Sequence, residues 1–379
     1  MRTADRASAL PESGIRKFFE LAEARDDVIS LGVGEPDFSA PWAARNAAIG
    51  ALERGRTSYT ANRGTAELRA GIAAHHERYD QSYDGDSEVL VTTGASEAVD
   101  LAFRTLVDPG DVVALHEPTY ISYAPGVELA GGEPLSVPTA AEDDFALTPD
   151  RLAAAGAADA DLLVLCYPNN PTGATMSDAE LAEVAAFCRE HDIRVVADEI
   201  YSALTYDTDH ASIATQPGMR ERTVVVNGFS KAYAMTGLRL GYALGPAETI
   251  DAMNRIHQYT MLSAPTTAQH AALEALRSCD NEVEEMVDEY NRRRRLVVSR
   301  FNAMGLDTFE PGGAFYAFPR CGGDDEAFAE ALLNEQGVAV VPGSVFGAGG
   351  EGHLRVSYAT SMRELKEATD RIAAFVENR

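Results

Sequence analysis

The sequence predicts an α/β protein: a mostly parallel sheet with helices on both faces forms a large unit, and a smaller α+β unit follows. Two observations lead there. Between residues 88 and 245, short β-branched apolar runs alternate with helix-patterned segments, the mark of strand–helix–strand units. Beyond residue 245 the alternation stops, helices dominate up to Gly305, and the tail mixes short strands with helices. A chain of 379 residues has room for two such units. The expected boundaries are an N-terminal arm that joins the small unit over 1–41, a large unit over 42–280, and a small C-terminal unit with a linking helix over 281–379.

The elements follow in order. SGIRKFFELAEA (13–24) reads as a short amphipathic helix and LGVGEPDFSAP (31–41) as a loop rich in Gly and Pro. Helices are expected over about 42–54 and 66–79, separated by the loop TSYTANRGTAEL. EVLVTTG (88–94) is a strand. A helix runs from Ser96 to Leu106, Asp108-Pro109-Gly110 turns, and VVALH (112–116) is the next strand. EPTYISY reads as a loop and EPLSV as a strand. LLVLCYP (162–168) is a strand that ends in NNPTG. Ser177 with Glu180 three residues later forms a capping box, which opens a helix to His191. RVVADEIY (194–201) and the run from Thr223 to Val226 are strands, and the second ends in the turn Asn227-Gly228. A charged helix over about 282–304 is long enough to bridge two units, and Arg292 to Arg295 within it read as a solvated turn. AFYAF (314–318), a helix over about 324–335, VAVVP and HLRVSYA build the small unit. Ser361 with Glu364 opens the last helix.

Composition narrows the function. The formal charge is −27, from 59 acids against 32 bases, which argues against nucleic acid and anionic membranes as partners. Only Lys17, Lys231 and Lys366 are lysines. Spread acidity with so little lysine points to adaptation to high salt, where screening relieves the self-repulsion of the surface. No apolar run approaches a membrane helix and the N-terminus lacks a signal-peptide core, so a cytoplasmic protein is expected. Cys166, Cys188, Cys279 and Cys321 have no metal-ligand spacing and read as reduced packing residues, and His75-His76 face different ways, so no metal site is expected.

Four loops carry the chemistry: TTGASEA, YPNNPTG, ADEIY and NGFSK, each at the carboxyl end of an expected strand. In a parallel sheet these ends share one edge, where open α/β sheets keep their ligands. Gly94-Ala95-Ser96 opens a helix whose free N–H groups suit a phosphate. Lys231 and Arg239 add positive charge. Asp198 closes an apolar strand and needs a cationic partner there. Tyr120 offers a flat face and Tyr201 a phenol donor. Together they describe a pocket for a phosphorylated, partly cationic aromatic ring that also needs an amine, and pyridoxal phosphate fits that description.

The wording and order of these segments resemble the class I/II aminotransferases, which are fold type I pyridoxal-phosphate enzymes. The matching stretches are GEPDF (34–38), SYTANRGTAELR (58–69), TTGASEA (92–98), EPTY (117–120), YPNNPTG (167–173), ADEIY (197–201), NGFSKAYAMTGLRLGY (227–242), GAFYAF (313–318) and HLRVSYA (353–359). The resemblance implies the following roles. Lys231 would bond the cofactor as its Schiff-base lysine and then shuttle the proton. Asp198 would pair with the ring nitrogen, Asn170 and Tyr201 would bond the ring's phenolate oxygen, and Tyr120 would stack on the ring. Ala95, Ser96, Ser230 and Arg239 would hold the phosphate. Tyr59 would reach the partner's phosphate across a homodimer interface. Arg355, with the Gly34 backbone and Asn170, would grip the substrate α-carboxylate. Gly228 stands where many members carry a hydroxyl, and Leu238 where tryptophan is frequent. The implied reaction moves an amino group between an L-amino acid and a 2-oxo acid by a ping-pong course, with glutamate and 2-oxoglutarate as one pair. A C–S lyase of the same fold shares these loops, and a regulator that senses the cofactor is a third reading. That regulator class carries an N-terminal helix-turn-helix unit, whereas only about thirty residues precede GEPDF here. The amino donor stays open, with Arg63 and Arg16 as candidates for a side-chain carboxylate.

Overall fold

The β-branched runs of the large unit pair into one sheet. The computed structural model describes residues 3–11, 14–15 and 27–378. Within them the strands are β1 (Ile29–Ser30), β2 (Val89–Thr92), β3 (Val112–Glu117), β4 (Glu133–Pro138), β5 (Leu162–Cys166), β6 (Arg194–Asp198), β7 (Thr223–Gly228), β8 (Gly241–Leu244), β9 (Tyr316–Ala317), β10 (Val338–Ala339), β11 (Val341–Pro342) and β12 (Leu354–Ser357). Seven of them form a sheet in the order β2-β8-β7-β6-β5-β3-β4. All pairs are parallel except those of β8, which runs against both β2 and β7. The reversed strand therefore brings its amino end to the edge where its neighbours end. Thr92 and Gly228 each lie opposite Gly241.

Side chains alternate across this sheet into two apolar cores, as the period of two requires. Val195, Ala197 and Val225 face one core, beneath the helices Ala66–His76, Asp178–Glu190 and Thr266–Ser278. Val196, Val224 and Val226 face the other, beneath Ala95–Leu106, Tyr123–Ala130 and Ala247–Thr260. Buried on both faces, the strands read as continuous apolar runs.

The tail builds the antiparallel sheet β11-β12-β9, and β1 pairs in parallel with β10. The aromatic side chains of Tyr290, Phe301, Phe315 and Phe375 lie in one core with Leu31, so the segment just before GEPDF joins the tail. The helix Asp280–Ala303 runs along this core.

Three expectations change. RVVADEIY is a strand only as far as Asp198, and Glu199 to Tyr201 turn away. A helix, Tyr123–Ala130, follows EPTYISY, and its residues Pro125 and Gly126 hide it from the pattern. The tetrad Arg292 to Arg295 is not a solvated turn: Arg293 and Arg294 are buried and only the outer two are exposed. The helix expected over 13–24 lies outside the described residues apart from Gly14 and Ile15, which are helical.

Candidate active site

The carboxyl ends of β2, β3, β5, β6 and β7 open on a cavity of about 1470 Å³. Gly34, Ala95, Ser96, Tyr120, Asn170, Asp198, Tyr201, Ser230, Lys231, Arg239 and Arg355 line it, whereas Tyr59 and Arg63 do not. Arg63 instead pairs with Asp251 and donates to the Asp86 and Ser87 carbonyls, and Arg16 lies outside the described residues. Tyr59 is 80% exposed. It stands on a surface loop tied down at both sides, where Thr266 donates to the Ser58 carbonyl and Gln269 donates to Thr60.

At one end the helix Ala95–Leu106 points its N-terminus inward. Gly94 precedes it at φ 80°, and no side chain caps the helix. A Cβ on Gly94 would lie 2.5 Å from Arg239 Nη2, so glycine lets that guanidinium approach the free N–H groups. A Cβ on Gly241 would meet the Ala95 nitrogen at 2.3 Å. Gly228 crosses the same strand, and its Cβ would come within 3.0 Å of Gly241 Cα. A Cβ at Gly228 would also lie 3.0 Å from the Leu240 carbonyl, so this close crossing favours glycine. The arrangement is a ready anion cradle of helix N-terminus, arginine and the neighbouring Ser230.

In the middle lies Lys231. Its Nζ donates to the Gly34 carbonyl at 2.5 Å and stands 5.7 Å from the Tyr201 ring centre and 5.6 Å from that of Phe315. Burial pushes its amine down to about 8; Arg355 and Arg239 push the same way, while Glu35 and Asp198 oppose them. A Cβ on Gly34 would lie 2.7 Å from the Tyr316 hydroxyl, so this close approach also depends on glycine.

Opposite stands Asp198. Burial raises its carboxyl to about 6, against two donors, the Tyr123 hydroxyl at 2.8 Å and the Ile200 amide at 3.2 Å. Its neighbour Glu199 points to the other face of the sheet. There Gln81 donates to it at 3.0 Å, Ser212 donates to it, and His210 stands 3.1 Å away. The two acids of ADEIY are thus divided by the sheet, and only the first faces the cavity.

At the far end Arg355 is 3% exposed. Nη1 donates to Asn170 Oδ1 at 2.9 Å and Nη2 to the Gly32 carbonyl at 2.6 Å. The guanidinium lies over the rings of Tyr316, at 4.8 Å, and Phe346, at 4.9 Å. Its Nε is buried without a partner. Each Nη carries a second N–H beyond the one it donates here, so the planar fork of a cavity-lining guanidinium can still donate to a carboxylate. Tyr201 and Tyr316 face each other with hydroxyls 3.0 Å apart, and burial raises both phenols, so both stay protonated.

Four residues of this site escaped the sequence reading. Tyr316 sits inside GAFYAF, where it read as strand core. Glu35 lies within GEPDF, Phe346 has no motif, and Tyr123 lies on the helix that the pattern hid.

Likeness to known proteins gives the family. The chain matches the family model for aminotransferase class I and II over residues 26–372. It is 51% identical over 376 residues to YugH of Bacillus subtilis (strain 168), whose aminotransferase name is provisional; the match covers 98% of this chain and 97% of that protein. It is 44% identical over 379 residues to an aspartate aminotransferase of Pyrococcus abyssi, covering 98% of this chain and 97% of that one. The crystal structure of an aromatic aminotransferase from Pyrococcus horikoshii superposes with a TM-score of 0.91 at 43% identity, over 96% of this chain and 99% of that one.

Proposed function

The chain belongs to the class I and II aminotransferase family, and on that premise we propose that it transfers the amino group of an L-amino acid to a 2-oxo acid through Lys231, with glutamate and 2-oxoglutarate as one of its pairs. The chain is an aminotransferase, and its family works with pyridoxal 5′-phosphate. The observation that carries the residue roles is the spacing of charges along one cavity: anion cradle, amine, buried carboxylate, then a guanidinium held by Asn170 and the Gly32 carbonyl.

The residues present fit the cofactor. The cradle formed by Gly94, Ala95, Ser96, Ser230 and Arg239 suits its phosphate, and the buried Asp198 carboxylate suits a protonated ring nitrogen. Asn170 and Tyr201 supply donors to a ring oxygen, and Tyr120 supplies a flat face. When bound, pyridoxal phosphate supplies the electron sink that makes a proton on the amino acid's Cα acidic. This chain's residues do the rest. Arg355 holds the substrate α-carboxylate by the remaining N–H groups of its planar fork, which fixes the orientation of Cα. Lys231 takes the Cα proton and later returns it, and its lowered pKa lets the amine be neutral near working pH. Asp198, ionised, holds the proton on the ring nitrogen.

Three finer points belong to this reading. The enzyme works as a homodimer: Trp42, Ile49, Leu52, Tyr59, Tyr259, Met261 and Leu262 are large apolar side chains left exposed, and Tyr59 would serve the partner's cradle. It works in the cytoplasm; no helix among the described residues is long and apolar enough to cross a membrane. It is adapted to high salt, a reading supported by the charge of −27. An aspartate enzyme and an aromatic one resemble it almost equally, so both acidic and aromatic amino donors belong in the test.

The test is a panel of amino donors with 2-oxoglutarate in high salt, alongside Lys231→Ala. The wild type should form glutamate from at least one donor. The variant should lose turnover by more than about a thousandfold, together with the absorbance of lysine-bound cofactor. Turnover that survives the substitution would remove Lys231 from its role. Pyruvate or ammonia released from a sulfur amino acid without any acceptor would select the lyase reading instead.

A further inference from the structure

Asp198 is the last residue of β6, and alternation puts its side chain on the same face as Val196, the face covered by the helix Tyr123–Ala130. Tyr123 is fully buried there. Its hydroxyl donates to Asp198 Oδ2 at 2.8 Å, and the Ile200 amide donates to Oδ1 at 3.2 Å. One donor on each oxygen fixes the plane of the carboxylate and leaves lone pairs free on the cavity side. The other charged or titratable groups facing Asp198 are Cys166, its register partner on β5, Glu199 beside it, and Lys231 across the cavity. Of these only Lys231 favours the ionised carboxylate, and it acts without a hydrogen bond. A buried carboxylate with so few donors tends to neutralise itself by holding a proton. A neutral carboxylic acid could not keep a proton on a ring nitrogen.

We propose that Tyr123 is a positioning residue for the reaction, whose hydroxyl keeps the Asp198 carboxylate ionised and aimed at the cofactor's ring nitrogen. Burial holds the Tyr123 phenol well above its ordinary range, so it stays a donor at every working pH. The donor is built into the fold. Gly126, one turn along the same helix, allows Phe103 to approach so closely that a Cβ there would lie 3.0 Å from the ring, and this contact seats the helix against its neighbour Ala95–Leu106. The inference rests on Asp198 facing the ring nitrogen, as read above.

The test measures binding to the cofactor-free full-length chain by calorimetry, with two probes. One is pyridoxal phosphate. The other is its analogue with carbon in place of the ring nitrogen. Tyr123→Phe should weaken pyridoxal phosphate by about tenfold or more, the size of a hydrogen bond to a charged group, and leave the analogue within about twofold. In an Asp198→Asn background the same substitution should leave the ratio of the two affinities unchanged. Equal weakening of both probes, no change in either, or a full loss in the Asn background would each overturn the proposal. If Tyr123→Phe does not fold, 3-fluorotyrosine at position 123 keeps the shape and donates more strongly. The affinity ratio should then rise, and an unchanged ratio overturns the proposal. A wild-type chain that binds neither probe would refute the reading of the site, and this inference with it.

Discussion

Lys231 can serve as a base only if its amine is neutral near working pH, and the cavity arranges this mainly by burial. An ordinary lysine amine loses its proton near pH ~10.4, whereas Lys231 does so at about 8. The sign is that of a cation in a poor solvent: below pH 8 the amine is charged and unreactive, and above it the amine is free. In the cofactor-free chain, acylation of Lys231 should therefore climb between pH 7 and 9 and level off above 9, as read by peptide mass spectrometry. A rate that still climbs through pH 10 would show that the amine is not depressed. The neighbours were partly legible in the sequence. Asp198 was legible from residue type, as an acid ending an apolar strand, whereas Arg355 was singled out only through the resemblance of HLRVSYA to the family. Tyr316 and Glu35 were not legible, because an aromatic in a strand and an acid in a Gly/Pro loop look like core and surface. Only the meeting of the tail with the segment at Gly34 makes them part of a site.

The large sheet was legible at the scale of elements because its strands, apart from the mostly exposed edge strand β4, are buried on both faces and read as apolar runs. The helix Asp178–Glu190 was equally clear. Its capping box forms as expected, with Ser177 Oγ accepting from the Glu180 amide and Glu180 bonding back to the Ser177 amide. The helix Tyr123–Ala130 was hidden because Pro125 falls in its first turn, where the missing N–H costs nothing. The long helix Asp280–Ala303 misled in another way. Periodicity marks which side of a helix is apolar, but it cannot say that a guanidinium will be buried over an aromatic ring. Arg294 donates to the Pro311 carbonyl at 2.8 Å, pairs with Asp207 at 2.7 Å and lies 4.8 Å from the Tyr206 ring centre, at 1% exposure. Arg292, two residues away, pairs only with Glu289 and is 66% exposed. Arg294→Leu should lower unfolding stability by about 2–4 kcal/mol, because it strips a buried carbonyl and an ion pair at once. Arg292→Leu should stay within about 0.5 kcal/mol. Urea unfolding of both variants checks this, and equal costs would mean that the tetrad acts as one solvated charge patch.

For the whole molecule the governing term is the charge of −27. If two copies pair through the apolar side chains around Trp42, Tyr59 and Tyr259, each brings that charge to the other, and the repulsion must be outweighed by buried apolar area and by salt. The Debye length falls from ~30 Å at 0.01 M to ~3 Å at 1 M, so screening removes most of the repulsion between surfaces, whereas contacts within the interface are little affected. The same reasoning applies within one chain. Among the described residues the ion pairs use arginine or histidine and mostly lie at the surface, where each is worth little, so these pairs do little to offset the surplus of acids. Raising KCl from 0.1 to 2 M should therefore raise the midpoint of thermal unfolding and tighten self-association by at least about tenfold. Tyr59→Ala should then weaken pyridoxal phosphate binding at 2 M KCl, where the chain is paired. At 0.1 M and low protein concentration, where it is single, the same substitution should have no effect. Sedimentation equilibrium and calorimetry at the two salt concentrations measure both. A midpoint that falls with salt would reject the adaptation read from composition. A Tyr59 effect of the same size in the single chain would place that phenol in its own subunit's cavity, against its exposed position on the loop at Ser58.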